Sequence, residues 1–314
     1  MAMRILVLGA GALGGYFGGR LAASGADVSF LVRPARQAAL RQNGLVVESP
    51  LGDLRLPAKT VTAETVTGPF DTILLTAKSY DLDAAIAAIG PAVGPDSAIL
   101  PLLNGMLHLD RLGAAFGPAP VLGGVAYIAA TLTPEGIIRH LNRAAALAFG
   151  ERSGGVSERV KAIARLFAAA GVAATASAAI LSDMWEKFVM ITALAGMTCL
   201  MRGSVGEIMQ AADGESLMLA LIAECEEVAT RSGFPPRPQP RAQCRALLTE
   251  RGSNFNASMR RDLEAGARTE ADAVLGDMLH RARALGMAAP LLSAVFCHLD
   301  VQEHRRMAHA ARLA

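Results

Sequence analysis

Short, wholly apolar runs separated by polar stretches dominate the first half of the chain. Residues 5–8 are apolar and stop at Gly9, which predicts a buried parallel strand. Residues 13–24 have helical spacing and end at Gly25. Residues 28–32 are a second strand, and 36–42 a second helix ended by Asn43-Gly44. Two short strands are expected at 45–47 and 54–56. The run TILLT at 72–76 is another buried strand, 82–89 a helix, and 97–102 a strand again. This alternation is the pattern of a doubly wound α/β sheet. Residues 121–130, 137–139 and 146–149 read as further strands, and 160–169 as a helix stopped by Gly171.

Past residue 180 the period changes. Helices are expected over 182–201, 204–212, 215–231, 240–249, 258–283 and 289–309, with Gly and Pro at the joins, as in Gly233-Phe234-Pro235-Pro236. The pattern predicts an α/β N-terminal domain over 1–178 and an all-α C-terminal domain over 179–314.

Composition narrows the function classes. The 314 residues are 52% hydrophobic and 18% charged, which argues against overall disorder. A net charge of +2 with no basic or acidic tail gives no reason to expect a nucleic-acid or membrane partner. Cys199, Cys225, Cys244 and Cys297 form no CxxC pair, so neither a zinc site nor a disulfide framework is expected, and no metal. Met1-Ala2-Met3-Arg4 runs straight into the first strand without the features of a signal peptide. The longest later apolar run, 188–201, is shorter than a bilayer span. A soluble, cytoplasmic protein is expected.

The first candidate chemistry lies directly after the first strand. Gly9-Ala10-Gly11-Ala12-Leu13-Gly14 is a GxGxxG turn between a strand and a helix, the context in which that motif binds a dinucleotide. Gly9 suits the tight turn, Gly11 lets the backbone approach a pyrophosphate, and Gly14 allows helix to pack on strand. The pyrophosphate then faces the free N–H groups at the start of the helix. This makes the domain Rossmann-type. Sites for NAD place an acid at the end of strand two; here the strand ends at Arg33, with Arg36 nearby. A guanidinium there suits a 2′-phosphate, so NADPH/NADP+ is the expected cofactor. Lys78 and Asn104 fall at the carboxyl ends of later strands, where ligands of such sheets bind. Asn104-Gly105 is also ordinary turn chemistry. His140, between two strand candidates, is expected to be structural.

These residues bring a family into view. The chain resembles the ketopantoate reductase (2-dehydropantoate 2-reductase) family along nearly its full length. The resemblance rests on Gly9-Ala10-Gly11-Ala12-Leu13-Gly14-Gly15, Arg33, Ala77-Lys78, Asn104-Gly105-Met106, Trp185-Glu186-Lys187 and Ser258-Met259-Arg260-Arg261-Asp262-Leu263-Glu264-Ala265-Gly266, followed by Thr269-Glu270. It implies NADPH-dependent reduction of a 2-oxo acid, 2-dehydropantoate, on the route to pantothenate and coenzyme A, with a cleft between two domains. It also implies roles: Lys187 as general acid, Glu270 as substrate-site carboxylate, Ser258 as a ligand of the substrate carboxylate, Asn104 beside the nicotinamide, and Lys78 as a lysine on the cofactor and substrate side. The chemistry agrees. Hydride addition to a ketone builds negative charge on oxygen, and a lysine ammonium can stabilise that charge and deliver a proton.

The sequence departs from the family at three places. The family helix carries asparagines four and eight residues after its lysine, where this chain has Ile191 and Ala195, and Leu275 replaces an asparagine before Gly276. Positions i, i+4 and i+8 share one helix face, so a hydroxyl-recognising stripe has become apolar. This leaves three functions in play: the reductase, a related dinucleotide-dependent dehydrogenase for a more apolar 2-oxo or hydroxy acid, and a non-catalytic NADPH-binding regulatory protein. Joint retention of Lys187, Glu270, Ser258 and Asn104 favours an enzyme. The expected partners are a small-molecule 2-oxo acid and, as a possible assembly, a second copy of the chain.

Overall fold

The structure, a computed structural model, describes residues 3–313. Met1 and Ala2, expected above to lead directly into the first strand, lie outside the described residues, as does Ala314. The chain forms two compact units. Residues up to Leu103, with His108–Leu181, make the first; Asn104–Leu107 and the residues from Ser182 onward make the second.

The first unit contains β1 (Arg4–Leu8), α1 (Ala12–Ala23), β2 (Asp27–Leu31), α2 (Pro34–Asn43), β3 (Leu45–Glu48), β4 (Leu54–Leu56), β5 (Thr60–Val61), β6 (Thr72–Leu75), α3 (Leu82–Ile89) and β7 (Ala98–Pro101). Then come α4 (Leu107–Phe116), β8 (Leu122–Leu132), β9 (Ile138–Glu151), α5 (Glu158–Ala169) and β10 (Ala173–Ala176). β5-β2-β1-β6-β7 form a wholly parallel sheet. β6 and β7 are buried at every residue, and β1 and β2 at all but the first. That is why these strands read as unbroken apolar runs: helices cover both faces of a parallel sheet.

The remaining strands form a separate mixed sheet in the order β10-β9-β3-β4, with β8 antiparallel to β9. Two corrections follow. The segments expected at 137–139 and 146–149 are one strand of 14 residues, β9. Its exposed middle, Leu141 to Arg143, breaks the apolar pattern while pairing with β8 continues around it. In addition, α4, β5 and β10 were not anticipated. Aromatic side chains close the core between α1, α5 and the strands. Tyr16 meets Phe17 edge-on at 5.2 Å, and Phe17 meets Phe167 at 6.3 Å. Each such pair adds about 0.5–1.5 kcal/mol beyond area burial.

The second unit is helical: α6 (Ile180–Met201, which begins at the end of the first unit), α7 (Val205–Ile208), α8 (Gly214–Arg231), α9 (Pro238–Leu248), α10 (Ser258–Glu264), a π-helical turn (Asp272–Gly276), α11 (Asp277–Ala284) and α12 (Pro290–Leu313). The single helix expected over 258–283 is therefore broken. Gly266 adopts φ +64° after α10, and Ala267 N–H closes back on the Asp262 carbonyl at 2.9 Å, a left-handed helix stop. α6 is the one described helix long and apolar enough to cross a membrane, and 67% of that stretch is buried inside the fold, as befits a core helix. Polar anchors join the helices that follow it. Glu226 on α8, nearly buried, is held by Arg241 and Arg245 of α9, and Glu224 accepts the N–H groups of Leu291 and Leu292 at the start of α12.

Candidate active site

In the first unit, the candidate residues gather at the carboxyl ends of β1, β2 and β6. Gly9 turns the chain with φ +96°, and α1 starts after Gly11 with no side chain capping it. A Cβ at Gly14 would lie 2.0 Å from the Gly9 carbonyl oxygen, so only glycine lets α1 sit this close to the strand. A Cβ at Gly11 would meet nothing within 4 Å. The turn is thus closed on its inner side and open where uncapped N–H groups point outward, the geometry a pyrophosphate needs. The turn fits a dinucleotide.

Three residues outside the motif hold this turn. The Thr76 hydroxyl, just beyond β6, donates to the Leu8 carbonyl at 2.7 Å. Arg36 of α2 donates to the Ala10 carbonyl through Nε at 3.2 Å and Nη2 at 3.0 Å, and Nη2 also reaches the Gly136 carbonyl at 3.2 Å. Burial lowers the pKa of this guanidinium from the ordinary arginine value. Arg36 is therefore committed to backbone, whereas Arg33 projects into solvent and pairs with Asp81 at 2.8 Å. Lys78 is exposed at the start of the 3-10 turn Ser79–Asp81. Sequence reasoning placed Arg33 and Lys78 but missed Thr76, Asp81 and the work of Arg36.

In the second unit, α6 carries Lys187. Its neighbours Trp185 and Phe188 are buried; Trp185 stacks on Phe234 at 5.8 Å and lies under Arg281 at 5.5 Å. Glu186 faces another way, bonded to Arg237, which also holds Asp183. Lys187 is half-buried as a residue, but burial of its ammonium lowers its pKa to about 8, against an opposing pull from the Glu270 carboxylate. Glu270 lies just before the π-helical turn, and its carbonyl accepts from Val274 N–H at 3.2 Å. Asn104 reaches the same region through its neighbour. Gly105, with φ +82°, packs so tightly that a Cβ there would be 2.3 Å from the Ala273 carbonyl of the π turn and 3.8 Å from the Phe188 ring. Asn104, Lys187 and Glu270 are thus anchored on three segments packed against one another. Ser258 stands exposed at the first position of α10.

The departures from the family sort by burial. Ile191 is partly exposed, one turn along the face of Lys187, whereas Ala195 is buried. Leu275 is wholly buried in the π turn, and its side chain lies 3.4 Å from where a Cβ of Gly196 on α6 would stand. It is a core residue. His140 is structural, as expected: its Nε2 donates to the Ala144 carbonyl at 3.0 Å and its Nδ1 accepts from Ser49 at 2.9 Å. All four cysteines are free; burial pushes the Cys199 and Cys244 thiols up to about 12, leaving them inert.

Comparison with known proteins matches this arrangement on both sides. The profile described as Ketopantoate reductase PanE/ApbA covers residues 5–154, and that described as Ketopantoate reductase PanE/ApbA C terminal covers 179–303. An uncharacterized oxidoreductase, YkpB, of Bacillus subtilis is 35% identical over 301 residues, 96% of this chain and 99% of that protein. The 2-dehydropantoate 2-reductase of Halobacterium salinarum is 28% identical over 92% of this chain and 95% of its own length. The crystal structure of 2-dehydropantoate 2-reductase from Methylococcus capsulatus superposes with a TM-score of 0.86 at 30% identity, covering 97% of this chain and 98% of that one. The chain belongs to the ketopantoate reductase PanE/ApbA family.

Proposed function

We propose that this protein reduces 2-dehydropantoate to pantoate with NADPH, through Lys187 as proton donor. The family makes it an NADP(H)-dependent oxidoreductase. The observation that carries the catalytic reading is the burial of the Lys187 ammonium near the Glu270 carboxylate, which lowers its pKa to about 8. An ammonium with a pKa of about 8 is mostly protonated at neutral pH yet gives up its proton far more readily than an ordinary lysine. When bound, NADPH supplies the hydride that adds to C2 of the 2-oxo acid. Lys187 stabilises the developing alkoxide and transfers its proton to that oxygen, giving the 2-hydroxy acid. Glu270 keeps Lys187 charged and oriented; Asn104 would lie beside the nicotinamide of a bound cofactor, and Ser258 holds the substrate carboxylate. Gly9, Ala10, Gly11, Ala12, Leu13 and Gly14 would cradle the pyrophosphate of a bound cofactor, Arg33 would take the 2′-phosphate, and Lys78 would lie on the cofactor side. In this reading the 1–178 segment binds cofactor and 179–314 carries the substrate chemistry.

Ile191 favours a second reading, a more apolar 2-oxo acid. It occupies the accessible turn beside Lys187 and offers no hydrogen bond to a 4-hydroxyl. NADPH consumption with a panel including 2-dehydropantoate and 2-oxoisovalerate tests both readings. Turnover of the first acid supports the main proposal, preference for the second supports the alternative, and no turnover of any 2-oxo acid removes both. Ile191→Asn should raise the kcat/KM ratio in favour of 2-dehydropantoate several-fold, the effect of one hydrogen bond of about 1 kcal/mol. A lower melting temperature without a changed ratio would place Ile191 in packing alone.

A cytoplasmic location suits this chemistry. A homodimer is also proposed, supported by Tyr127, Leu132 and Leu141, which are large, exposed and apolar on the β8–β9 ribbon. Light scattering coupled to size exclusion should give twice the chain mass; a monomer mass across the concentration range would rule the dimer out.

A further inference from the structure

Arg33 and Asp81 come from either side of the glycine-rich turn. Arg33 follows β2, Asp81 closes the turn after β6, and β1 lies between those strands in the sheet. Their side chains meet across the carboxyl end of β1, Nη2 to Oδ2, at 2.8 Å. The Arg33 side chain is 77% exposed and that of Asp81 37%. An ion pair so solvated contributes little to stability. Its place matters more, because ligands of such sheets bind beyond the strand ends that this pair spans.

We propose that Asp81 sets the cofactor selectivity of this protein by weakening its preference for NADPH over NADH. The proposal rests on the reading of Arg33 as ligand of the 2′-phosphate. A dianionic phosphate bonded to Arg33 lies well within a Debye length of a carboxylate that already occupies one Nη of the same guanidinium. It is repelled by that carboxylate and competes with it for donors. NADH has a neutral 2′-hydroxyl in place of the phosphate. It meets no such repulsion, and its hydroxyl can donate to the carboxylate of Asp81. Arg36 is a weaker competitor for the phosphate than Arg33, because its Nε and Nη2 are turned to the Ala10 and Gly136 carbonyls. The competing role for Asp81, holding Arg33 ready for the phosphate, has the opposite sign.

Dissociation constants for NADPH and NADH, measured by fluorescence titration on the parent protein, Asp81→Asn and Arg33→Ala, decide the matter. Asp81→Asn should bind NADPH roughly three- to ten-fold more tightly, with NADH unchanged or weaker, and the gain should shrink as salt rises. Unchanged or weaker NADPH binding in Asp81→Asn overturns the proposal. Arg33→Ala tests the underlying reading separately: if it binds NADPH as tightly as the parent, Arg33 is not the phosphate ligand, whatever Asp81 does. Asp81→Ser removes the same charge with a shorter side chain. It must shift selectivity in the same direction, so the inference does not hang on one variant.

Discussion

The ammonium of Lys187 is pulled in two directions. Burial favours its neutral form, while the Glu270 carboxylate favours its charged form, and the balance is a pKa of about 8. If the protonated form delivers the proton, kcat/KM should be level near neutrality and fall as pH rises through about 8. Glu270→Gln removes the group that raises the pKa, so the falling limb should move to lower pH. Lys187→Ala should lower turnover by about 10²–10⁴, the scale of a positioned acid, with little change in NADPH affinity. Initial rates of NADPH oxidation across a pH series check all of this, and a limb that stays in place in Glu270→Gln would uncouple the two residues. At this scale a local motif is what makes a candidate visible in the sequence: Lys187 follows Trp185-Glu186, and Glu270 follows Thr269. It was silent on Thr76 and Asp81, whose roles come from partners 68 and 48 residues away. No local pattern encodes such contacts.

Among the elements, the π turn and the Asn104-Gly105 turn depend on each other. A methyl group at Gly105 would meet the Ala273 carbonyl at 2.3 Å, and φ +82° is strained for any L side chain. Gly105→Ala should therefore destabilise the protein by about 1–3 kcal/mol. Because the displaced segments carry Asn104 and precede or follow Glu270, kcat should drop further than cofactor affinity. A thermal melt with steady-state kinetics reads both; a variant with parental melting and turnover would show that the turn has slack. The sequence marked Gly105 as turn chemistry but could not show what the turn packs against. Likewise Ala265-Gly266 carried a helix stop, but the apolar spacing that resumes at Ala271 and Val274 masked it.

For the whole molecule, the parallel sheet was legible because its strands are buried on both faces and so are apolar at nearly every position. The second sheet was not. β9 exposes several residues and changes partners along its length, from β3 at Ile138 and Arg139 to β10 at Ala146–Phe149. Such register is a matter of long-range pairing, and β5, two residues long, is too short to leave a pattern. Nor does periodicity reveal that Asn104–Leu107, which follows a strand of the first unit, belongs with the helices of the second.

α6 bears on how this protein can change over generations. Along it, Asp183, Glu186, Lys187, Met190 and Ile191 keep some exposure, and then every residue from Thr192 to Cys199 is buried. Asp183 and Glu186 are tied to Arg237. A lineage exploring new substrates can therefore vary this helix beside Lys187 at little structural risk only around Met190 and Ile191, since the other untied, lightly buried positions lie at its two ends. Substitutions over residues 192–199 would have to be matched by simultaneous changes in the core, where a single methyl group is felt. Innovation on this scaffold should thus proceed by single steps in one helical turn, and a library randomised there should yield more folded, altered-specificity variants than one spread over the helix.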